Sequence, residues 1–266
     1  MKKIGFIGAG NMGTAMIRGL AKTDRIDRKN LFVCGRNIEK LQPLETEFQG
    51  IQLTTSIEEL AEHADIIILS VKPYTIPEVL TSIKNKLSKD KIIISVAAGV
   101  TIQDLESLTT KETKIVRVMP NTPALVGEAM SSITPNGSVT AEETEIITTI
   151  FASFGKAEVV PESSMDAVVG VSGSSPAYVY MFIEALADGA VLNGLPRDKA
   201  YKFAAQAVLG AAKMVLETGE HPGKLKDMVT SPGGTTIEAV KSLEDSGFRS
   251  AVINAVQAAA EKNSNM

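Results

Sequence analysis

The chain has 266 residues, 44% of them hydrophobic and 22% charged, with a net charge of −4 and a single cysteine. That composition belongs to a globular protein with ample core-forming residues, in one large domain or two small ones. It excludes a basic surface for nucleic acid and offers an anionic membrane little attraction. The lone Cys34 excludes an intrachain disulfide and a multi-cysteine zinc site, so a reducing, cytoplasmic setting without a metal is expected.

The N-terminal Met1-Lys2-Lys3 and the apolar residues after it fall short of a secretion signal. Gly5, Gly8 and Gly10 break the run, and it stops at Asn11. Short apolar runs then alternate with helical patterns. Lys3–Ile7, Asn30–Cys34, Asp65–Val71, Lys91–Val96 and Lys114–Val118 read as parallel strands buried on both faces. Met12–Lys22, Ile38–Phe48, Ile57–Glu62, Ile76–Leu87 and Ile102–Leu108 read as the helices between them. Ser56 with Glu59 matches a capping box, and Thr101 with Asp104 is a weaker version. Strands alternating with helices predict right-handed βαβ units and a doubly wound sheet.

Further on, Ala129–Thr134 and Ala157–Val160 read as edge strands flanking a helix over Ala141–Phe154. After Pro161 the strand pattern ceases. Pro176–Asn193, Arg197–Thr218, Pro222–Val229, Thr235–Ser246 and Phe248–Lys262 are predicted helices. Tyr178–Leu195 is apolar but carries Glu184, Asp188 and Asn193, so it reads as a buried or interfacial helix and not a membrane span. A boundary near Pro161–Ser164 divides the chain into 1–162 and 163–266, the second part all-α. Its alanine-rich faces, from Ala204 to Ala212 and from Ala251 to Ala260, suit packing against a second copy.

The first strand feeds directly into Gly8-Ala9-Gly10-Asn11-Met12-Gly13, and a helix opens there. Strand, spacing and helix together are a dinucleotide fingerprint, giving a Rossmann-type α/β fold for the first part. Gly8 permits a tight turn, Gly10 lets backbone approach a pyrophosphate, and Gly13 allows close helix–strand contact. At the end of the next strand, Cys34-Gly35-Arg36-Asn37 has no carboxylate for a ribose 2′-hydroxyl. The Arg36 guanidinium suits a 2′-phosphate instead, which predicts NADPH in preference to NADH. Val71-Lys72-Pro73 and Ala97-Ala98-Gly99 end further strands, where open α/β sheets bind ligands. Backbone is the expected contribution of Lys72.

Only His63 and His221 could serve as histidine bases, one in a charged helix and the other in an inter-helix turn. A base-poor chain suits a reaction needing little proton abstraction, such as reduction of a basic C=N bond. The second part carries its own glycine turn, Ser231-Pro232-Gly233-Gly234-Thr235-Thr236, and a comparable segment at Gly173-Ser174-Ser175-Pro176-Ala177-Tyr178. Each heads a helix and offers hydroxyls and free N–H groups to an anion.

These segments, with Met119-Pro120-Asn121-Thr122-Pro123, His221-Pro222-Gly223-Lys224-Leu225-Lys226-Asp227 and Gly247-Phe248-Arg249, resemble the pyrroline-5-carboxylate reductase family from Lys3 to Asn263. The resemblance implies reduction of 1-pyrroline-5-carboxylate to L-proline by hydride from NAD(P)H, the last step of proline biosynthesis. It implies a substrate carboxylate held by Ser231, Gly233, Gly234, Thr235 and Thr236, with Thr236 as hydrogen-bond donor to the ring nitrogen. Glu162 and Ser174 join them as candidate substrate contacts. Gly8 to Gly13, Arg36, Asn37, Val71 to Pro73, Ala97 to Gly99 and Asn121 are the candidate cofactor contacts. A dimer through interlocked C-terminal helices, assembled in some members into rings, is also implied. Ser175, Thr235 and Met228 stand where members usually carry Gly, Ala and Asn.

Two other readings compete. A β-hydroxyacid or 6-phosphogluconate-type dehydrogenase carries a lysine on the first long helix of its second domain, and Pro176–Asn193 has none. A non-catalytic NADPH-binding paralogue has no need of the intact Ser231–Thr236 loop.

Overall fold

A computed structural model describes residues 2–23 and 26–265; Met1, read above with Lys2 and Lys3, lies outside them. The first unit begins β1 (Ile4–Ile7), α1 (Asn11–Ala21), β2 (Leu31–Cys34), α2 (Gln42–Glu47), β3 (Gln52–Thr54), α3 (Ile57–His63), β4 (Ile66–Leu69) and α4 (Ile76–Ile83). It continues with β5 (Ile92–Ser95), α5 (Ile102–Leu108), β6 (Lys114–Met119), β7 (Ala129–Pro135), α6 (Ala141–Ala152), β8 (Gly155–Val159) and α7 (Met165–Val168). The strands form one eight-stranded sheet in the order β3-β2-β1-β4-β5-β6-β7-β8. β1 to β6 run parallel, and β7 turns antiparallel to β6 with β8 parallel beside it. Strand order reverses at β1, which makes its carboxyl end the switch point of a doubly wound sheet.

The alternating side chains of each strand enter opposite layers. Ile66 and Ile68 pack with Met16, Ile17 and Phe151 on one face. Ile67 and Leu69 pack with Leu60, Val79 and Leu80 on the other. Both faces being covered explains why these strands read as unbroken apolar runs.

Local sequence sets the details. The reciprocal capping box forms at Thr101 and Asp104, with N–H to oxygen distances of 2.9 and 3.1 Å. At Ser56 only half of the expected box is made: Ser56 caps the Glu59 N–H at 3.1 Å, while the Glu59 carboxylate takes the Thr54 hydroxyl. Thr54 ends β3, an edge strand whose three residues Gln52–Thr54 are too few to show an alternating pattern. The expected Ile38–Phe48 helix divides into a 3-10 turn over Ile38–Lys40 and α2, with Pro43 in the first turn of α2. After α7 a single π-helical turn, Val169–Gly173, ends this unit's main run.

The second compact unit is Ser174–Ala258, while residues 259–265 group with the sheet. It holds α8 (Ser175–Leu192), α9 (Arg197–Thr218), α10 (Pro222–Met228), α11 (Thr235–Asp245) and most of α12 (Phe248–Ser264). Its core is thin, built where Ala187, Ala200 and Ala204 let α8 and α9 approach and Ile183, Val191 and Leu195 fill in. Large apolar side chains remain outside it, among them Met181, Phe203, Leu216 and Ile253, each more than 60% exposed. An apolar surface of that extent marks an association face. No helix among the described residues is long and apolar enough to cross a membrane.

Candidate active site

The glycine turn is built from three close approaches. Gly8 has φ +103°, and a Cβ there would lie 2.6 Å from the Ser70 carbonyl. A Cβ on Gly13 would lie 2.5 Å from the Gly8 carbonyl and 2.8 Å from Ser70 Oγ. Gly10 faces open space, with nothing within 4 Å of a Cβ built on it. The turn is locked from the neighbouring strand: Ser70 Oγ donates to the Gly8 carbonyl at 2.6 Å, and the Ser70 N–H to that of Ile7 at 2.9 Å. Thr14 braces the other side by donating its hydroxyl to Ala9 at 3.1 Å.

The helix that follows, like α2 and α4, starts without a side-chain cap. α3, α5 and α6 each begin with a side chain that accepts a first-turn N–H. α1 begins at Gly10 with no side-chain cap and no acidic residue in its first turn. The N–H groups of Asn11, Met12 and Gly13 have no helical carbonyl to pair with and lie at the positive end of the helix dipole. Open space over Gly10 and uncapped donors fit a dinucleotide's pyrophosphate.

The other expected cofactor residues share this edge of the sheet. Ladder register sets Ile7 beside both Cys34 and Leu69, and Leu69 beside Ser95, so the chain leaves all four strands at one level. Arg36 and Asn37 follow β2. The Arg36 guanidinium is exposed, without a hydrogen-bond or ion-pair partner among the described residues, while Asn37 Oδ1 caps the Glu39 N–H at 2.8 Å. Val71, Lys72 and Pro73 follow β4, and the Lys72 carbonyl accepts from Thr75 N–H at 2.9 Å, a backbone part in the turn. Ala97, Ala98 and Gly99 follow β5, where Gly99 takes φ +75°. Asn121 follows β6 and is buried, with Nδ2 donating to Ser172 at 3.0 Å and Oδ1 accepting from Met130 N–H at 2.9 Å.

Glu162 also belongs to the sheet unit. Its Oε1 accepts from the Ile102 N–H at 2.8 Å, at the start of α5, and from Arg117 Nη1 at 2.9 Å. Cys34 is buried, its thiol pKa pushed up to about 11 by burial first and then by Glu58 and Glu59. Both histidines are structural: His63 stacks on Phe32 at 5.7 Å, and His221 Nδ1 caps the Gly223 N–H at 3.0 Å. Among the described residues no group of three His, Cys, Asp or Glu side chains could hold a metal.

In the helical unit, Ser231 to Gly234 closes a turn, with the Gly234 N–H donating to the Ser231 carbonyl at 3.0 Å. Pro232 sets its second position, and Gly233, at φ +66°, its third, the signature of a type II turn. A Cβ on Gly234 would collide with Ser231 Oγ. The turn opens α11 without a side-chain cap. The hydroxyls of Ser231, Thr235 and Thr236 make no hydrogen bond among the described residues, so this helix start repeats the logic of α1 with hydroxyls added. Ser174, just before α8, likewise gives no side-chain cap to its helix. Ser70 was not among the expected residues; a serine closing the apolar run of β4 beside the glycine turn was its signal.

A doubly wound sheet with an uncapped, glycine-opened helix at its switch point, joined to an all-helical unit, defines a dinucleotide-dependent oxidoreductase. Comparison with known proteins narrows this. Residues 162–266 match the family model described as pyrroline-5-carboxylate reductase dimerisation, and 3–99 match one described as NADP oxidoreductase, coenzyme F420-dependent. The chain is 55% identical over 262 residues to the pyrroline-5-carboxylate reductase of Escherichia coli (strain K12), covering 98% of this chain and 97% of that one. It is 44% identical to the enzyme of Arabidopsis thaliana, covering 98% and 94%. Among solved structures, pyrroline-5-carboxylate reductase from Coxiella burnetii superposes with TM-score 0.93 at 34% identity, over 99% of this chain and 98% of that one. The Plasmodium falciparum pyrroline carboxylate reductase with NADP bound gives 0.89 at 39% identity, over 99% and 97%. The chain belongs to the pyrroline-5-carboxylate reductase family.

Proposed function

We infer that the protein reduces 1-pyrroline-5-carboxylate to L-proline with NAD(P)H, as the final step of proline biosynthesis in the cytoplasm. The observation that carries this reading is the Ser231–Thr236 turn, an uncapped helix start whose hydroxyls have no partner among the described residues, on a chain 55% identical to a reductase of that name. A five-membered imine carboxylate needs an anion cradle and one hydroxyl donor, and the turn offers both.

Residues 1–162 take the dinucleotide in this reading. The N–H groups of Asn11 to Gly13 face the pyrophosphate across Gly10, and Arg36 faces the adenosine end, so NADPH is favoured over NADH. The Val71–Pro73 and Ala97–Gly99 turns and the backbone at Asn121 line the same edge. The bound nicotinamide supplies the hydride that reduces the imine carbon. Residues 163–266 take the substrate and self-associate, as a dimer through the exposed apolar helix faces. Ser231, Gly233, Gly234 and Thr235 hold the carboxylate beside the start of α11, with Ser174 a further contact. The Thr236 hydroxyl donates to the ring nitrogen as it becomes an amine. Thr236 need only donate and orient, because a protonated imine accepts hydride without a strong base.

The deciding experiment follows NADPH and NADH oxidation with 1-pyrroline-5-carboxylate and identifies the product. Proline formed faster with NADPH is expected. Tight NADPH binding without turnover would overturn the reading in favour of a cofactor-binding paralogue.

A further inference from the structure

We propose that Asn121 is a positioning residue: its amide tethers the π-helical turn Val169–Gly173 to the carboxyl edge of the sheet, and the reaction depends on that tether instead of on a contact between the side chain and the cofactor. The inference rests on the reading of the site given above.

Asn121 leaves β6 at the sheet edge that carries the glycine turn, the usual ligand edge of such sheets. Its side chain is already engaged by the protein's own backbone. Only 7% of the residue is exposed, and each end of the amide has a backbone partner: Nδ2 donates to the Ser172 carbonyl at 3.0 Å, and Oδ1 accepts from Met130 N–H at 2.9 Å. The amide thus joins the end of β6, the start of β7 and the π-helical turn.

The turn rests on the same strand end, since a Cβ on Gly173 would sit 4.0 Å from Met119 Cγ. Ser172 is held a second time by its own hydroxyl, which donates to Val168 at 3.0 Å. A π-helical turn sacrifices regular helical bonding, so it needs such outside partners to persist, and such turns recur at functional sites. Gly173 leads directly into Ser174, a proposed substrate contact. A displacement of even an ångström at such a position costs about 100-fold in rate.

The test uses Asn121→Asp, which keeps an acceptor for the Met130 N–H but sets a carboxylate oxygen against the Ser172 carbonyl. Hydrogen exchange of residues 169–173 should accelerate about 10-fold or more, the scale of one lost buried hydrogen bond. In the same variant kcat should fall about 10-fold or more while the Kd for NADP+ stays nearly unchanged. A Kd that rises in step with the loss of activity would overturn the proposal in favour of a cofactor contact. So would unchanged exchange in the turn, or lowered thermal stability with unchanged kinetics. In the wild-type protein, the Met130 amide should be protected equally with and without NADP+; protection only with NADP+ would overturn the tether even if the variant failed to fold. If the wild-type protein does not turn over the substrate, the functional reading fails while the exchange data still judge the tether.

Discussion

The hydroxyl of Ser70 donates to the carbonyl of Gly8 across 2.6 Å, and Gly13 is the residue that leaves room for that bond. The cofactor turn is therefore fixed from β4 as well as by its own glycines. Ser70→Ala should weaken NADP+ binding about 3- to 10-fold, the usual net worth of one neutral hydrogen bond. Gly13→Ala should cost more, because its methyl would lie 2.5 Å from the Gly8 carbonyl. Calorimetric titration with NADP+ measures both, and equal affinity in all three proteins would refute the lock.

Arg36 is exposed and has no partner among the described residues, so its removal strands no buried charge. Arg36→Ala should raise the KM for NADPH about 10-fold, the scale of a charge-assisted contact, and leave that for NADH almost unchanged. The NADPH effect should shrink as salt is added. Parallel losses with both cofactors would remove Arg36 from the 2′-phosphate.

Thr236 is the second residue of α11, and its hydroxyl makes no hydrogen bond among the described residues. Thr236→Ala should lower kcat about 100-fold, the scale of a misplaced reactant, at nearly constant NADP+ affinity. Thr236→Ser should recover most of the rate. A serine variant as slow as the alanine variant would show that the methyl group, and not the hydroxyl, is what the site requires.

Glu162 pairs with an Arg117 side chain that is only 5% exposed. Glu162→Ala leaves that guanidinium buried without its counter-charge, and a loss of about 3 kcal/mol is expected in denaturant unfolding. As a proposed substrate contact Glu162 should also matter to binding, and the KM for the imine substrate should rise in the folded variant. A KM unchanged beside lowered stability would confine Glu162 to the ion pair.

The Cys34 thiol, with its pKa pushed up to about 11, is neutral in the fold at physiological pH. The sign follows from that upward shift. Stability gained from the neutral thiol is complete at neutral pH, and it is lost as rising pH ionises Cys34 first in the unfolded chain and then in the folded one. A thiol reagent at pH 8 should modify the protein only after denaturation, and Cys34→Ala should keep full activity. Rapid labelling of the native enzyme would contradict the burial.

The sheet was largely legible in the sequence because its parallel strands, such as Ile66–Leu69 and Ile92–Ile94, are apolar on both faces. The α5 and α9 boundaries fell as expected, since Thr101 and Gly219 mark them by cap chemistry. β3 escaped because an edge strand of three residues, Gln52–Thr54, has no period to detect. The hydrogen bonds made by Ser70 and Asn121 could not be read for another reason: their partners include carbonyls 62 and 51 residues away, and backbone groups look alike in any sequence. The glycine turns could be read because each demands a residue without a side chain at defined spacing.

The last helix gives the helical unit a second anchor. Asn263 Nδ2 donates to Asp166 Oδ1 at 2.6 Å, and residues 259–265 group with the sheet while most of α12 does not. The helical unit is thus an insertion with two points of attachment. A protease cut between Gly173 and Ser174 would nick the chain without freeing either part, and a fragment ending before Asn263 would lose the polar clasp that closes a loop of nearly a hundred residues.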